Sequence, residues 1–428
     1  MEIRARGRPL SIVESESVVA PASVGRTRAF ASLRNRPFRW WFGAQILSGS
    51  GGMAQLVGQA WLVLHVLHGG GLVLGALTAT TFAPVLVGSA WAGSWLQSHD
   101  VRHALIGTQV AAGAIAATTG VLVATGLVQL WMVFLLALAG GCVFAVDQPA
   151  RQLYVVNLVG RERLASAVGL YEVIINASRL LGPALGGVVL AVFGVAACFA
   201  FNAVSFLPPL LVLLHFRTRR ESDTAPRRHS RTRQALREGL AYVRRTPEVA
   251  ACILIAAPAG MIFNIGVALP VLATQTFGLG KFGLGALIAC FGAGAIPGGF
   301  AAAYARTHRL GRNTRLLTLG AGLAVIALAV APTAAAAFPL MAGVGFLSIW
   351  MIALANTLVQ VRTTPPLRGP VLGLWTMALP GLTPITAVIS GAVTQFVGPR
   401  AGYGVAGLLL TVVALASWHR LGADPEPR

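Results

Sequence analysis

The sequence predicts an all-α polytopic membrane protein: about twelve transmembrane helices in two six-helix bundles, a parallel repeat with both termini cytoplasmic. Three observations predict it: an excess of apolar residues, a regular alternation of arginine-rich and arginine-poor loops, and a weak internal repeat. Of 428 residues, 56% are hydrophobic and only 11% are charged, against about 25% charged in an ordinary soluble domain. A soluble fold cannot hide that much apolar surface. Fifty glycines, many of them inside apolar runs, fit the close helix approach typical of membrane bundles.

Residues 1–37 form a basic arm. It carries eight arginines up to Arg39 and no apolar core of roughly 7–15 residues such as a signal peptide needs, so it reads as a cytoplasmic arm. A spanning helix needs about 20 apolar residues. That length places spans at 39–66, 72–97, 104–126, 129–149, 164–194 and 196–216 in a first bundle, residues 38–216. A second bundle, residues 249–419, has spans at 249–275, 283–306, 314–332, 336–360, 369–398 and 400–418. Residues 420–428 form a cytoplasmic tail.

Arginine placement orients the chain, because cytoplasmic loops are enriched in Lys and Arg. The loop "HVLHGGG" has no basic Lys or Arg, while "QSHDVRH" has Arg102 and "RQLYVVNLVGRER" has Arg151, Arg161 and Arg163. Thirty of the 33 basic residues fall on one side. Lys281 and Arg400 fall on the other, and Arg179 lies within a span. The net charge of +20 is therefore topology, spread over short loops, and excludes a nucleic-acid partner. Four scattered cysteines, with no CxxC and no Cys/His cluster, predict neither a disulfide framework nor a metal site, and no cofactor is expected.

The one long polar break, 217–248, holds ten arginines and divides six spans from six. Within it "RQALREGLAYVRR" puts Leu236, Leu240 and Tyr242 or Val243 on one helix side and arginines opposite. This is the pattern of an amphipathic helix at the inner leaflet, and a plain solvated linker is the alternative. The two halves repeat. "LGAL" at 74–77 recurs at 284–287, an offset of 210, and Gly169, Tyr171 and Gly187 meet Gly373, Trp375 and Gly391 at an offset of 204. Two six-span copies around a midplane site are a transporter's build.

The polar residues inside spans are the candidate machinery. At 100° per residue Glu172, Asn176, Arg179 and Pro183 fall within a sector of about 60°. Arg179 lies about 22 Å into its helix, near the midplane, where a charge costs roughly 2.5–3.5 kcal/mol or more unless it meets a cavity or a partner. Glu172 with Arg179 reads as a proton-coupling pair, as a static pair that orients helices, or as a substrate contact. Asp147 and Arg151, one turn apart if the helix runs past Pro149, read as a cytoplasmic gate or as a helix-end pair. Candidate cavity residues are Gln45, Gln55 and Gln59, Asn264, Asn356, Gln360 and Trp375. Each serves substrate contact or helix-to-helix hydrogen bonding. His65 and His68 mark the outer mouth.

Several stretches resemble one family. "VDQPARQLYVVNLV", "NASRLLGPALGG", "FNAVSFL", "REGLAYVRRTP" and "NTLVQVRTTPPLRGPVLGL" are similar to the major facilitator superfamily, and within it to the enterobactin-exporter-like branch. The resemblance covers about 31–418. It also extends to an exporter motif in the fifth span, matched by Gly169, Gly182, Pro183, Gly186 and Gly187, with Ser178 where a further glycine is usual. The loop after the second span departs from the family pattern. "GSWLQSHDVRH" has Gln97 and Ser98 where that pattern has Asp and Arg, and Asp100 and Arg102 are the candidates to take over its gate. The resemblance implies proton-driven efflux of an amphiphilic or lipophilic small molecule: a siderophore, antibiotic or drug, hence antibiotic resistance. The expected protein is a monomeric antiporter in a bacterial inner membrane, with substrate, protons and lipid as partners and no enzyme activity. An importer on the same fold and a non-transporting receptor or scaffold are the alternatives.

Overall fold

The computed structural model describes residues 31–159, 164–216, 232–304, 309–364 and 367–421, and among them no strand occurs. Most of residues 1–37 and 217–231 therefore lie outside the described residues. The part of the arm that is described is helical: a 3-10 turn spans Ala31–Arg34, and α1 starts at Arg36 with Pro37 in its first turn. Asn35 ties this start down by donating its side-chain amide to the Leu158 carbonyl at 2.6 Å.

The first half follows as α1 (Arg36–Trp61), α2 (Gly71–Ser98), α3 (Val101–Ala124), α4 (Leu130–Val159), α5 (Leu164–Phe193), α6 (Val195–Ser205) and α7 (Leu207–His215). A linker helix α8 (Thr232–Arg245) leads into α9 (Pro247–Phe263), α10 (Ala268–Val271), α11 (Lys281–Ala303) and α12 (Leu310–Ala329). The chain ends with α13 (Ala334–Arg362), α14 (Arg368–Thr376), α15 (Thr383–Phe396) and α16 (Pro399–Ala416). Among the described residues, nine helical segments are long and apolar enough to cross a membrane, or ten if the sharply bent α8–α9 pair counts as one. Of the twelve expected spans, the first, seventh and ninth fall short alone. Gln, Ser and Gly dilute α1, α9 has 17 residues, and α12 opens on Arg312 and Arg315.

Four boundaries differ from the sequence reading. The fourth span does not end at 149, since α4 continues through Pro149 to Val159. Trp41 packs edge-on to Tyr154 at 4.8 Å between ring centroids and anchors that extension. The sixth span is two helices. Pro208 and Pro209 lack N–H donors, and the helix breaks at Phe206. The seventh span unwinds between Asn264 and Val267, where Pro270 cannot donate back to Gly266. The eleventh is likewise interrupted by a π turn, Met377–Gly381.

The repeat is visible in the registers. A π turn at Leu62–Val66 recurs at Leu272–Thr276, and α2 and α11 start at 71 and 281, all offset by 210. α4 and α13, α5 and α14, and α6 and α16 start 204 apart. Gly194 and Gly398, also 204 apart, both have positive φ (84° and 128°), a region in which an L side chain is strained.

The halves meet along two seams, α5 against α11 and α2 against α15. A methyl group added at Gly187 would lie 3.0 Å from the Gly285 Cα. One added at Gly391 would lie 3.1 Å from the Gly75 Cα. These contacts sit toward the arginine-poor ends of the helices. There, too, Ala60, Leu62 and Leu77 share an apolar cluster with Val267, Val271 and Ala387. At the arginine-rich end the cluster around Phe38, Trp41, Leu105 and Tyr154 draws only on the first half. Beside it α8 packs on the second half. Gly239 lies against Pro370, Val243 is buried, and the Tyr242 hydroxyl donates to the Arg362 carbonyl at 2.5 Å. Leu240 is exposed.

Candidate functional site

The motif helix α5 is continuous through Pro183, so helical spacing keeps Asn176, Arg179 and Pro183 on one side of it. At Arg179 and Pro183 that side is turned toward the second half. The Pro183 carbonyl lies beside Gly285, and a methyl at Gly292 would meet the Leu180 backbone nitrogen at 2.5 Å. The Arg179 guanidinium sits 5.3 Å from the centre of the Phe263 ring. That distance suits a cation–π contact, which strengthens when desolvated. Phe263 is the last residue of α9, just before its unwound stretch. The Glu172 side chain and the surroundings of Gly169 lie outside the described set, so the expected Glu172–Arg179 pair is left as an expectation. Asn176 is half-buried one turn before Arg179.

The exporter-motif glycines serve two neighbours. Gly182 and Gly186 face α1, where an added methyl at Gly186 would come within 2.7 Å of the Ala54 Cα. Gly187 faces α11. Ser178, in the place of a family glycine, is buried over Gly49 and donates to the Ile46 carbonyl at 3.3 Å. Its hydroxyl satisfies itself on a backbone acceptor, so a serine fits where α1 supplies a glycine of its own.

A second polar cluster is fully internal to the first half. Asp147 is buried. One carboxylate oxygen accepts from Thr108 Oγ1 at 2.8 Å and from Gln109 Nε2 at 2.9 Å, and the other pairs with Arg151 Nε. Arg151 also donates to Gln45 Oε1. Three side chains from α1 and α3 thus clamp one ion pair on α4, and the helix through Pro149 keeps Asp147 and Arg151 one turn apart. Gln45, for which substrate contact and helix-to-helix hydrogen bonding were both open, makes the second kind of contact here. Asp100 and Arg102 do not join this cluster. Asp100 caps α3, accepting from the Arg102 and His103 backbone N–H groups at 2.8 and 3.4 Å. Burial opposes its charge, but these N–H groups and the His103 imidazole outweigh it and hold the carboxyl below the usual carboxylate range. Arg102 donates to the Leu213 and Leu214 carbonyls at 2.6 and 3.1 Å, closing the C-terminus of α7.

The remaining candidates scatter. Gln55 accepts from Asn202 Nδ2 at 2.6 Å, bridging α1 and α6, and Gln59 is half-buried one turn on. Asn264 ends α9 and donates to Thr386 Oγ1 at 3.1 Å. Gln360, exposed, donates to Asn356 at 3.1 Å. Trp375 is buried in the second half's core, and Trp61 stacks on His65 at 3.8 Å. Five participants were not anticipated: Thr108, Gln109, Asn202, and Glu248 with Arg362, an ion pair at 2.6 Å. The adjacent polar pair Thr108-Gln109 in an apolar span was the available signal.

Comparison with known proteins agrees with this architecture. The model of the transmembrane secretion effector family matches residues 27–423. An uncharacterized MFS-type transporter of Bacillus subtilis is 24% identical over 87% of this chain and 90% of its own. The enterobactin exporter EntS of Salmonella choleraesuis is 28% identical over 67% of this chain and 69% of its own. The staphyloferrin A transporter of Staphylococcus aureus is 29% identical over 44% of this chain and 48% of its own, so the match spans about half of that relative. Among solved structures, a bacterial homologue of the lysosomal transporter Spinster, inward-facing and occupied, has a TM-score of 0.68 at 14% identity. It is matched over its whole length by 92% of this chain. A bacterial homologue of ferroportin, inward-facing, has a TM-score of 0.62 at 17% identity, over 89% of this chain and 98% of its own. These relatives and fold neighbours are transporters, not enzymes. A multi-span helical protein whose family model matches nearly its full length belongs to the transmembrane secretion effector family of major facilitator superfamily transporters.

Proposed function

We propose that this chain exports an amphiphilic or lipophilic small molecule across a bacterial inner membrane by proton antiport. It works as two six-helix bundles with twelve spans, both termini cytoplasmic, and acts as a monomer. The observation that carries the reading is the seam between α5 and α11. It presses Gly187 on Gly285 and sets the Arg179 face against the second half. With the arginine-rich end cytoplasmic, the seams close the outer side, as in an inward-open state awaiting cargo. Rocking the halves must part α5 from α11, so any proton gained or lost on the Glu172–Arg179 face is tied to the motion. The spans' polar groups are mainly neutral amides, which suits a siderophore or other amphiphile rather than a sugar phosphate. The enterobactin exporter among the relatives supports efflux of such a cargo.

The test is uptake of enterobactin into inverted vesicles with an acidic interior. Uptake that collapses with the proton gradient, and that Glu172→Gln uncouples from pH, is the expected result. Gradient-driven movement in the opposite sense favours the importer. Retained proton dependence in Glu172→Gln ends the coupling role and leaves a static pair.

A further inference from the structure

The linker helix α8 meets α9 at a bend of 109°. α9 packs along α13 and α16, and spanning helices tilt on average about 20° from the membrane normal. α8 therefore lies nearly in the plane of the membrane, at the arginine-rich end. One side of it is fixed to the second half. Gly239 lies against Pro370, Val243 is buried, and Tyr242 reaches the Arg362 carbonyl. Going round the helix from Gly239 and Val243 at 100° per residue, one passes Leu240 and then Arg244 and Arg237. Those three fall within a sector of about 60° and all are exposed, Leu240 by 40%. The order runs from packed core, through an exposed leucine, to two arginines. A helix half sunk in a bilayer surface has this order, with apolar groups at the acyl boundary and guanidiniums among the headgroups.

These two arginines differ from others at the same end. Arg102, Arg315 and Arg368 donate to main-chain carbonyls, Arg151 pairs with Asp147, and Arg362 pairs with Glu248. Those guanidiniums hold the protein's own groups. Among the described residues no ion pair uses Arg237 or Arg244. They stand seven residues apart, about 10 Å along the axis, with Leu240 on the same flank between them. A guanidinium presents a fork of donors that suits a phosphate. A soluble acidic partner would satisfy the arginines and leave Leu240 in water. A phospholipid satisfies both, because its phosphate and its acyl chain lie at adjoining depths. The helix is also well placed to pass such binding on, since its packed side grips the end of α13 at Arg362 and the start of α14 at Pro370.

We propose that α8 is a binding site for acidic phospholipid, with Arg237 and Arg244 on the headgroup and Leu240 at the acyl boundary. The proposal rests on α9 crossing the bilayer and not on the direction of transport. The readout is a bimane fluorophore on Ala241→Cys, an exposed position beside Leu240 in the chain. It is placed in a Cys142→Ala, Cys290→Ala background, where Cys198 and Cys252 are buried. The protein sits in phosphatidylcholine nanodiscs, which offer both leaflets. They are doped with spin-labelled phosphatidylglycerol or spin-labelled phosphatidylcholine as quencher. Quenching should favour phosphatidylglycerol, by about fivefold for each arginine. Arg237→Gln and Arg244→Gln should each lower that preference about fivefold, and the double variant should abolish it. Arg245→Gln, about 100° farther round the helix than Arg244, should keep it. All three arginines are exposed, so each variant should melt like the wild type in pure phosphatidylcholine. Equal quenching by the two lipids, or no quenching by either, overturns the proposal. So does a preference that falls as far in Arg245→Gln as in Arg244→Gln. Glu172→Gln should keep the preference even as transport loses its pH dependence. The lipid site and the export mechanism can therefore fail independently.

Discussion

Gly187→Val should open the seam between α5 and α11. The β carbon of the new side chain would stand 3.0 Å from the Gly285 Cα and 3.1 Å from the Phe282 carbonyl oxygen. Both are backbone atoms, so no rotamer change relieves the clash, and one helix must move. Overpacking of this kind costs about 1–3 kcal/mol. The cost falls only on the state in which the seam is closed. Taking the middle of that range, about 2 kcal/mol, the ratio of open to closed protein should rise about 30-fold. Spin labels at Phe193 and Phe282, both exposed at the ends of the two helices, report the opening as a longer distance population in pulsed electron resonance. Gly43→Val is the control, because an added methyl there meets nothing within 4 Å. A folded Gly187→Val protein with an unchanged distance distribution would refute the reasoning, since the seam would then be a fixed joint rather than a moving one.

Other perturbations follow from the same contacts. Asp147→Asn strands the Arg151 charge in a buried site and should cost about 3–5 kcal/mol, read as a fall in thermal stability in detergent. Adding Arg151→Gln should recover part of that loss. Tyr242→Phe removes the bond from α8 to the Arg362 carbonyl, about 1 kcal/mol, and should speed proteolysis at the linker helix without changing the melting of the rest. The carboxyl of Asp100 is held below its unfolded value of 3.8, so its contribution to stability is present above that pH and lost as pH falls through the lower folded value. The melting difference between wild type and Asp100→Asn should therefore shrink as the pH is lowered from 6 toward 3.

Fold and repeat were readable in the sequence because burial in lipid leaves a long, periodic signal. Twenty apolar residues and an arginine-bearing loop are legible one element at a time, and the offsets of 210 and 204 reappear in the starts of the helices. Breaks were less readable. Pro149 and Pro208 carry the same local penalty, yet α4 runs on past its proline and α6 stops short of the other. The difference comes from the tertiary surroundings, including Trp41 against Tyr154 and the clamp on Asp147. Of the site, the shared face of Glu172, Asn176 and Arg179 follows from helical spacing alone. The partners do not, because Phe263 lies 84 residues away from Arg179 in the chain and Gln45 lies 106 residues from Arg151. An amide in a span advertises that it needs a partner but not which one. That is why Gln45 reads in sequence as either a substrate contact or a bond between helices, and only in three dimensions as a partner of Arg151.

The constant register between the copies also lets each polar group be set beside its twin. Counting 210 onward from Gln45, Gln55 and Gln59 reaches Ile255, Ile265 and Leu269, all buried apolar residues. Counting 204 onward from Asp147, Arg151 and Asn202 reaches Met351, Ala355 and Ala406, which are buried apolar residues as well. The duplicated scaffold has thus divided its labour. At these six positions the first copy holds the amides and charges and the second holds apolar packing, while the polar groups of the second copy, Asn264 with Thr386, Asn356 with Gln360 and Glu248 with Arg362, form contacts of their own. Moving such a polar group onto its twin position should cripple the protein, even though the backbone there has the same shape.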